Sequence, residues 1–185
     1  MSRTSLNCVR AREERACLLH RMRMEGKLPV RATHNDTKIN NVLLDEHTRK
    51  AICVIDLDTV MPGLSAFDFG DAIRFGASTA AEDETDLRKV SLDLELFRAF
   101  TRGFLKACPS LTEKEREVLP LGSFTMTLEC GMRFLGDYLN GDVYFKTAYP
   151  DHNLVRCRTQ LKLVEEIEQK YTDMMTVTQG IYNNL

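Results

Sequence analysis

Apolar side chains fall along this chain at two different spacings. Between residues 10 and 25, Ala, Leu and Met are interspersed with Arg and Glu, which predicts a helix ended by Gly26 and Pro29. Two short apolar runs follow, Val42-Leu43-Leu44 and Ile52-Cys53-Val54-Ile55, joined by the polar stretch Asp45-Glu46-His47-Thr48-Arg49-Lys50. Such runs around a polar connector predict a β-hairpin. Beyond it the period becomes helical, with Leu92, Leu96, Phe97, Phe100 and Phe104 in one stripe over 88–106. Thr112 with Glu115 predicts a capping box for a short helix that Pro120 ends. Leu121, Phe124, Leu128, Met132 and Leu135 share a face of a helix over 121–139, and Leu161, Val164, Ile167 and Tyr171 are spaced to pack in a last helix over 154–176. The phenylalanines and methionines of these stripes are assigned to the core. The expected fold is mostly α with a short β-hairpin (α+β).

Composition narrows the classes of function. The chain has 185 residues, enough for one domain with a real core. Its net charge of −2 carries no basic footprint for nucleic acid or an anionic membrane. No apolar run approaches the roughly 18 residues of a transmembrane helix, and the charged N-terminus lacks a signal peptide's apolar stretch. Cysteines 8, 17, 53, 108, 130 and 157 are scattered, without a C-x-x-C pair. They are expected to be mostly reduced and buried, in a cytoplasmic protein without zinc.

The chemistry gathers around the hairpin. Before its first strand stands His34-Asn35-Asp36-Thr37-Lys38-Ile39-Asn40-Asn41. The skeleton H-x-D-x-x-x-x-N has the spacing of a kinase catalytic loop, where the Asp meets the substrate hydroxyl and the Asn holds magnesium. If Val42 pairs with Ile55 and Leu43 with Val54, Asn41 and Asp56 become neighbours at the open end of the hairpin, about 5 Å apart. A carboxylate and an amide carbonyl at that distance serve magnesium well. Lys38, two residues after Asp36, is placed to reach a phosphate oxygen, and His34 to hold the loop. Each residue also has a plainer reading. Asp36 could form a turn or cap a helix, Asn41 could cap a strand, Asp56 and Asp58 could be solvated, and Lys38 could be a surface lysine.

A second kinase-like string, Phe67-Asp68-Phe69-Gly70-Asp71, lies further on. Hairpin geometry gives the metal to Asp56, so this literal Asp-Phe-Gly is not the metal motif. Asp68 is expected to cap a helix, and Asp71 to complement its dipole.

The segments HNDTKINNVLLD and VIDLDTVMPGLSAFDFGD resemble the aminoglycoside phosphotransferase and choline kinase superfamily, which has a protein-kinase-like fold. The resemblance is closer to its N-acetylhexosamine 1-kinase branch, through residues 33–42, 54–63, 127–135, 141–145 and 152–160, and spans 28–170. It implies ATP- and magnesium-dependent phosphorylation of a sugar hydroxyl, in that branch the anomeric one. By the same resemblance Asp36 is the catalytic base, Asn41 and Asp56 are magnesium ligands, the segment around Asp68 supports the catalytic loop, and Arg133 and Tyr144 contact the sugar. The plainer readings are a surface arginine and a packed aromatic.

Such a kinase also needs a phosphate-covering loop and a strand lysine. The 33 residues before His34 contain one glycine, Gly26, and no strand-like run with a lysine. The chain is therefore expected to be a single domain equivalent to the C-terminal lobe alone. Residues 1–33 form a leading helix, 34–58 the catalytic loop and metal hairpin, and 88–176 a helical substrate subdomain. On that reading, which a truncated or split gene or a late start codon would explain, the isolated chain is a poor kinase or inactive. The uncovered lobe interface favours self-association or a separate N-lobe chain. Two other readings stand beside it: a non-catalytic sugar- or partner-binding module, and a kinase for an amino alcohol or aminoglycoside.

Overall fold

In the computed structural model, which describes residues 2–185, the leading segment forms three helical pieces, the second and third of which divide the single helix expected over 10–25. These are α1 (Ser2–Arg10), α2 (Glu13–Ala16) and α3 (Leu18–Met24). Arg12 explains the first break. Its guanidinium donates to both oxygens of Glu168, at 3.0 and 2.6 Å, and to the Cys8 carbonyl at 2.9 Å, closing α1 from outside the helix. Gly26, at φ +71°, ends the third piece as expected.

Two antiparallel pairs of strands stand where one hairpin was expected. β1 (Arg31–Thr33) pairs with β4 (Met61–Gly63), and β2 (Val42–Leu44) pairs with β3 (Ala51–Val54). The hairpin register is corrected by one residue: Val42 faces Val54 and Leu43 faces Cys53. The cause is the connector. Asp45 accepts from the backbone N–H groups of His47 and Thr48, Arg49 turns through a left-handed φ of 57°, and a bulge follows between Leu43 and Leu44.

The core is helical. α7 (Leu119–Leu139) runs between α4 (Ser65–Gly76) and α8 (His152–Gln169), with α5 (Leu94–Ala107), α6 (Glu113–Glu117) and α9 (Tyr171–Tyr182) around them. Phe69, Phe97, Phe124, Val164, Ile167 and Met174 are fully buried there. α4 and α7 touch backbone to backbone. A β-carbon on Gly70 would strike the Gly122 carbonyl, and one on Gly122 would strike that of Ala66.

Several boundaries move for local reasons. α5 begins at Leu94, not 88, because the Asp93 carboxylate accepts from Glu95 N and Leu96 N. Leu96 and Met132 face outward rather than into the core, while Phe100, partly exposed, packs its ring on Phe69 and Phe104. The Thr112–Glu115 capping box forms, but Pro120 opens α7 instead of ending α6, since a first-turn proline gives up no hydrogen bond. The last helix breaks at Lys170, whose ammonium donates to the Leu92 carbonyl. All six cysteines are free, but Cys157 alone among them is buried; Cys17 and Cys53 are exposed, Cys53 because the hairpin lies outside the core. No helix among the described residues is long and apolar enough to cross a membrane.

Candidate active site

The loop from His34 to Asn41 is braced at its base by the two strands the sequence did not reveal. β1 delivers the chain into it, and β4 lies alongside. Thr59 donates to the His34 carbonyl at 2.6 Å, and the Asn35 amide donates to the Thr59 carbonyl at 3.0 Å. Asp68, in the first turn of α4, accepts from His34 N and Asn35 N, both at 2.8 Å. Thr37 Oγ1 donates to the Asp68 carbonyl at 2.6 Å. Asp68 is thus no helix cap, since α4 starts earlier; its carboxylate anchors the loop, the support that the family resemblance implied for this segment. Nor is Asp71 a dipole partner, since it pairs with buried Arg74 at 2.9 Å.

His34 holds the loop. Its Nδ1 accepts from Asp36 N at 3.3 Å, which assigns the proton to Nε2, 3.0 Å from the Ile55 carbonyl. Both ring nitrogens are occupied, so the imidazole clamps the loop to the hairpin.

Asp36 points its Oδ2 at Lys38 Nζ and at the Asn41 amide nitrogen, each 2.8 Å away. Oδ1 has no hydrogen-bond partner among the described residues. Burial pushes this carboxyl up, but the bonds from Lys38 and Asn41 outweigh burial and hold it below the ordinary carboxylate range. Asn41 is itself buried and donates also to the Asp36 carbonyl at 2.8 Å. Its amide nitrogen is therefore spent, which fixes the side chain with the carbonyl oxygen as its remaining polar atom.

Asp56 is exposed and left-handed, with φ 62° and ψ 56°. The one-residue shift of register puts Ile55, not Asp56, across from Asn41, with Ile55 N donating to the Asn41 carbonyl at 2.9 Å. Asp56 is the next residue, where the strand gives way to a 3₁₀ turn (Leu57–Thr59). The direct opposition of Asn41 and Asp56 is thus corrected: Asp56 follows one residue beyond the residue that bonds Asn41. No group of three His, Cys, Asp or Glu residues among the described ones is arranged to hold a metal.

A cleft of about 520 Å³ opens beside Asp36. Asp36 and Lys38 lie on one wall; Arg133 of α7 and Tyr144 of the following loop lie on another. The sequence alone sets these pairs about a hundred residues apart. Arg133 Nη2 sits 3.5 Å from the Tyr144 hydroxyl, and the Tyr144 ring is 73% exposed, so it is no packed core aromatic. Asp137 sets that loop by accepting from Val143 N, Tyr144 N and Phe145 N at 2.8–3.0 Å and from the Asn153 amide. Burial opposes its charge, and those donors overcome it, leaving the carboxyl below the ordinary range. Sequence reasoning missed Asp137; the paired Gly-Asp steps of GDYLNGD were its one signal. Cys130 also lines the cleft, but burial pushes its thiol up to about 12 against the pull of Arg74, which makes it a poor nucleophile.

A half-buried, hydrogen-bonded loop carboxylate thus stands on the wall of an open cleft, with a fixed amide beside it. A family model described as the phosphotransferase enzyme family matches residues 5–105. The match covers more than half of the chain, and the chain belongs to that family.

Proposed function

We propose that this chain carries the acceptor site and phosphoryl-transfer loop of an ATP- and magnesium-dependent sugar kinase, with an N-acetylhexosamine as acceptor. The observation that carries the reading is the convergence of Asp36, Lys38, Arg133 and Tyr144 on one cleft. Asp36 Oδ1 orients the acceptor hydroxyl and takes its proton as the phosphoryl group arrives. The lowered Asp36 makes a weak base, fitting a transfer in which the proton leaves late. Lys38 neutralises charge beside it, and Arg133 and Tyr144 donate to sugar hydroxyls. His34 keeps the loop in register.

The donor set at the hairpin mouth fits a hard cation: the Asn41 carbonyl oxygen, left over after its nitrogen is spent, and the unpaired carboxylate of Asp56. Magnesium bound there would neutralise the negative charge of the nucleotide phosphates. Five cationic side chains line the cleft against the carboxylates of Asp36 and Glu82. That balance favours a neutral sugar over a cationic amino alcohol or aminoglycoside.

The hairpin supports a partner as well. Ile52, Val54, Leu57 and Met61 are more than half exposed around it, and a nucleotide lobe packed on this face would cover them. A non-catalytic sugar-binding module is the second reading. It is favoured by α1 and α2, which pack on α7 and α8 rather than over the loop. Titrating Mg-ATP and N-acetylhexosamine separates the two: turnover that vanishes in Asp36→Asn supports a kinase, and sugar binding without turnover supports the module.

A further inference from the structure

Among the cleft residues stands a carboxylate that phosphoryl transfer leaves unused. Glu82 lies in the connection after α4, and its Oε1 accepts from Arg74 Nη1 at 3.0 Å. Its other oxygen, Oε2, is 3.8 Å from Arg156 Nε, beyond hydrogen-bond range. Neither guanidinium can follow it. Arg74 is buried and bonded to Asp71 Oδ1 at 3.0 Å. Arg156 is held by Nη1 bonds to the Lys146 carbonyl and Asn153 Oδ1, both 3.2 Å, and lies 5.4 Å from the centre of the Phe134 ring.

Glu82 is thus fixed on one oxygen and uncommitted on the other. Two cations compensate its charge, and the pair Phe134 and Phe145, 4.8 Å apart, gives the same cleft an apolar side. A carboxylate oxygen in that setting is a strong acceptor for a ligand O–H or N–H, and an aromatic wall suits the C–H face of a sugar ring. Water alone would not require so constrained a carboxylate. A metal role lacks the ligands, since no group of three His, Cys, Asp or Glu residues forms among the described residues.

We propose that Glu82 is a specificity-determining residue, whose carboxylate accepts hydrogen bonds from a hydroxyl or amide N–H of the acceptor ring away from the hydroxyl that Asp36 engages. The proposal rests on the sugar-kinase reading above. It requires a hydrogen-bond donor on the acceptor at that position, and it disfavours acceptors that carry a carboxylate or phosphate there.

The test is calorimetric titration of N-acetylglucosamine, N-acetylgalactosamine and deoxy analogues, each lacking one hydroxyl or the acetamido group, into the full chain and Glu82→Gln, without nucleotide. Glu82→Gln is expected to weaken binding about ten- to a hundredfold, with the far-UV circular dichroism of the folded chain kept. One deoxy analogue should bind the wild type as weakly as the parent sugar binds Glu82→Gln, and lose little more in the variant. Such non-additivity marks a shared contact, whereas a merely structural effect weakens every ligand alike. Unchanged affinity in Glu82→Gln, or additive losses for every analogue, overturns the Glu82 contact and leaves the sugar reading standing. A wild type that binds none of these sugars at millimolar concentration overturns both. Glu82→Asp, which keeps the charge but withdraws the oxygens by one methylene, gives the same readout if Glu82→Gln does not fold.

Discussion

Asp36 is surrounded so that one oxygen is occupied and the other is open, and its chemistry follows from that division. Replacing it with Asn keeps the shape and removes the proton acceptor. Turnover in Asp36→Asn is expected to fall by about 10²–10⁴-fold, while circular dichroism and the unfolding midpoint stay near wild type. Because Asp36 is held below its ordinary range, its carboxylate is present through neutral and mildly acidic pH. The acid limb of a pH–rate profile assigned to it should therefore lie below the ordinary 3.8, with activity falling as pH drops through that limb. Asp56 occupies a left-handed conformation that Asp and Asn tolerate and most side chains do not. Asp56→Asn is thus the clean variant, removing charge without backbone strain. It should raise the magnesium concentration for half-maximal turnover by at least about tenfold, since even outer-shell changes cost that much. The joining of Asp36, Lys38 and Asn41 in one hydrogen-bonded loop was legible because a few residues carry their spacing, while Asp56 was placed one residue off, because the hairpin register was. Asp68 was reached through the resemblance alone and Asp137 not at all, since each acts through backbone N–H groups that the fold alone brings near.

Between elements, Glu115 joins three of them. Its carboxylate caps α6, takes two bonds from Arg31 of β1 at 2.8 and 2.7 Å, and accepts from Ser65 of α4 at 3.0 Å. Burial would raise this group, yet the Arg31, Thr112 and Ser65 donors pull it from 4.5 to about 2. A depressed carboxyl stabilises the fold in full above its unfolded value and loses that contribution as pH falls. Denaturation midpoints should therefore decline between pH 4.5 and 2, and Glu115→Gln should flatten the decline while costing about 3 kcal/mol at neutral pH. The α4–α7 crossing makes a second demand. Gly70→Ala drives a methyl into the Gly122 carbonyl and should destabilise by about 1–3 kcal/mol, measured by urea denaturation. Helix existence was readable from the apolar period, and the Thr112–Glu115 cap from its four-residue signature. The hairpin register was not, because a bulge and a left-handed Arg49 set it and neither leaves a hydrophobic mark. β1 and β4, three residues each, are too short for any alternation to show.

For the whole molecule, apolar runs carry different meanings in different places. The stripes of α7 and α8 are core, while the equally apolar hairpin is exposed along all of β3. Sequence cannot separate the two, since burial depends on what packs above a strand as well as on its residues. We propose that this hairpin face drives association, and sedimentation velocity should show mass rising with concentration. Ile52→Lys with Val54→Lys should return the chain to monomer while leaving sugar affinity unchanged, because neither residue lines the acceptor cleft. The most direct measurement follows transfer of labelled γ-phosphate from Mg-ATP to N-acetylhexosamine over a long incubation of the chain with and without Asp36→Asn. The expected result is a slow but measurable phosphosugar product that disappears in Asp36→Asn. Sugar binding with no phosphosugar, or a product that persists in Asp36→Asn, would contradict phosphoryl transfer at this loop.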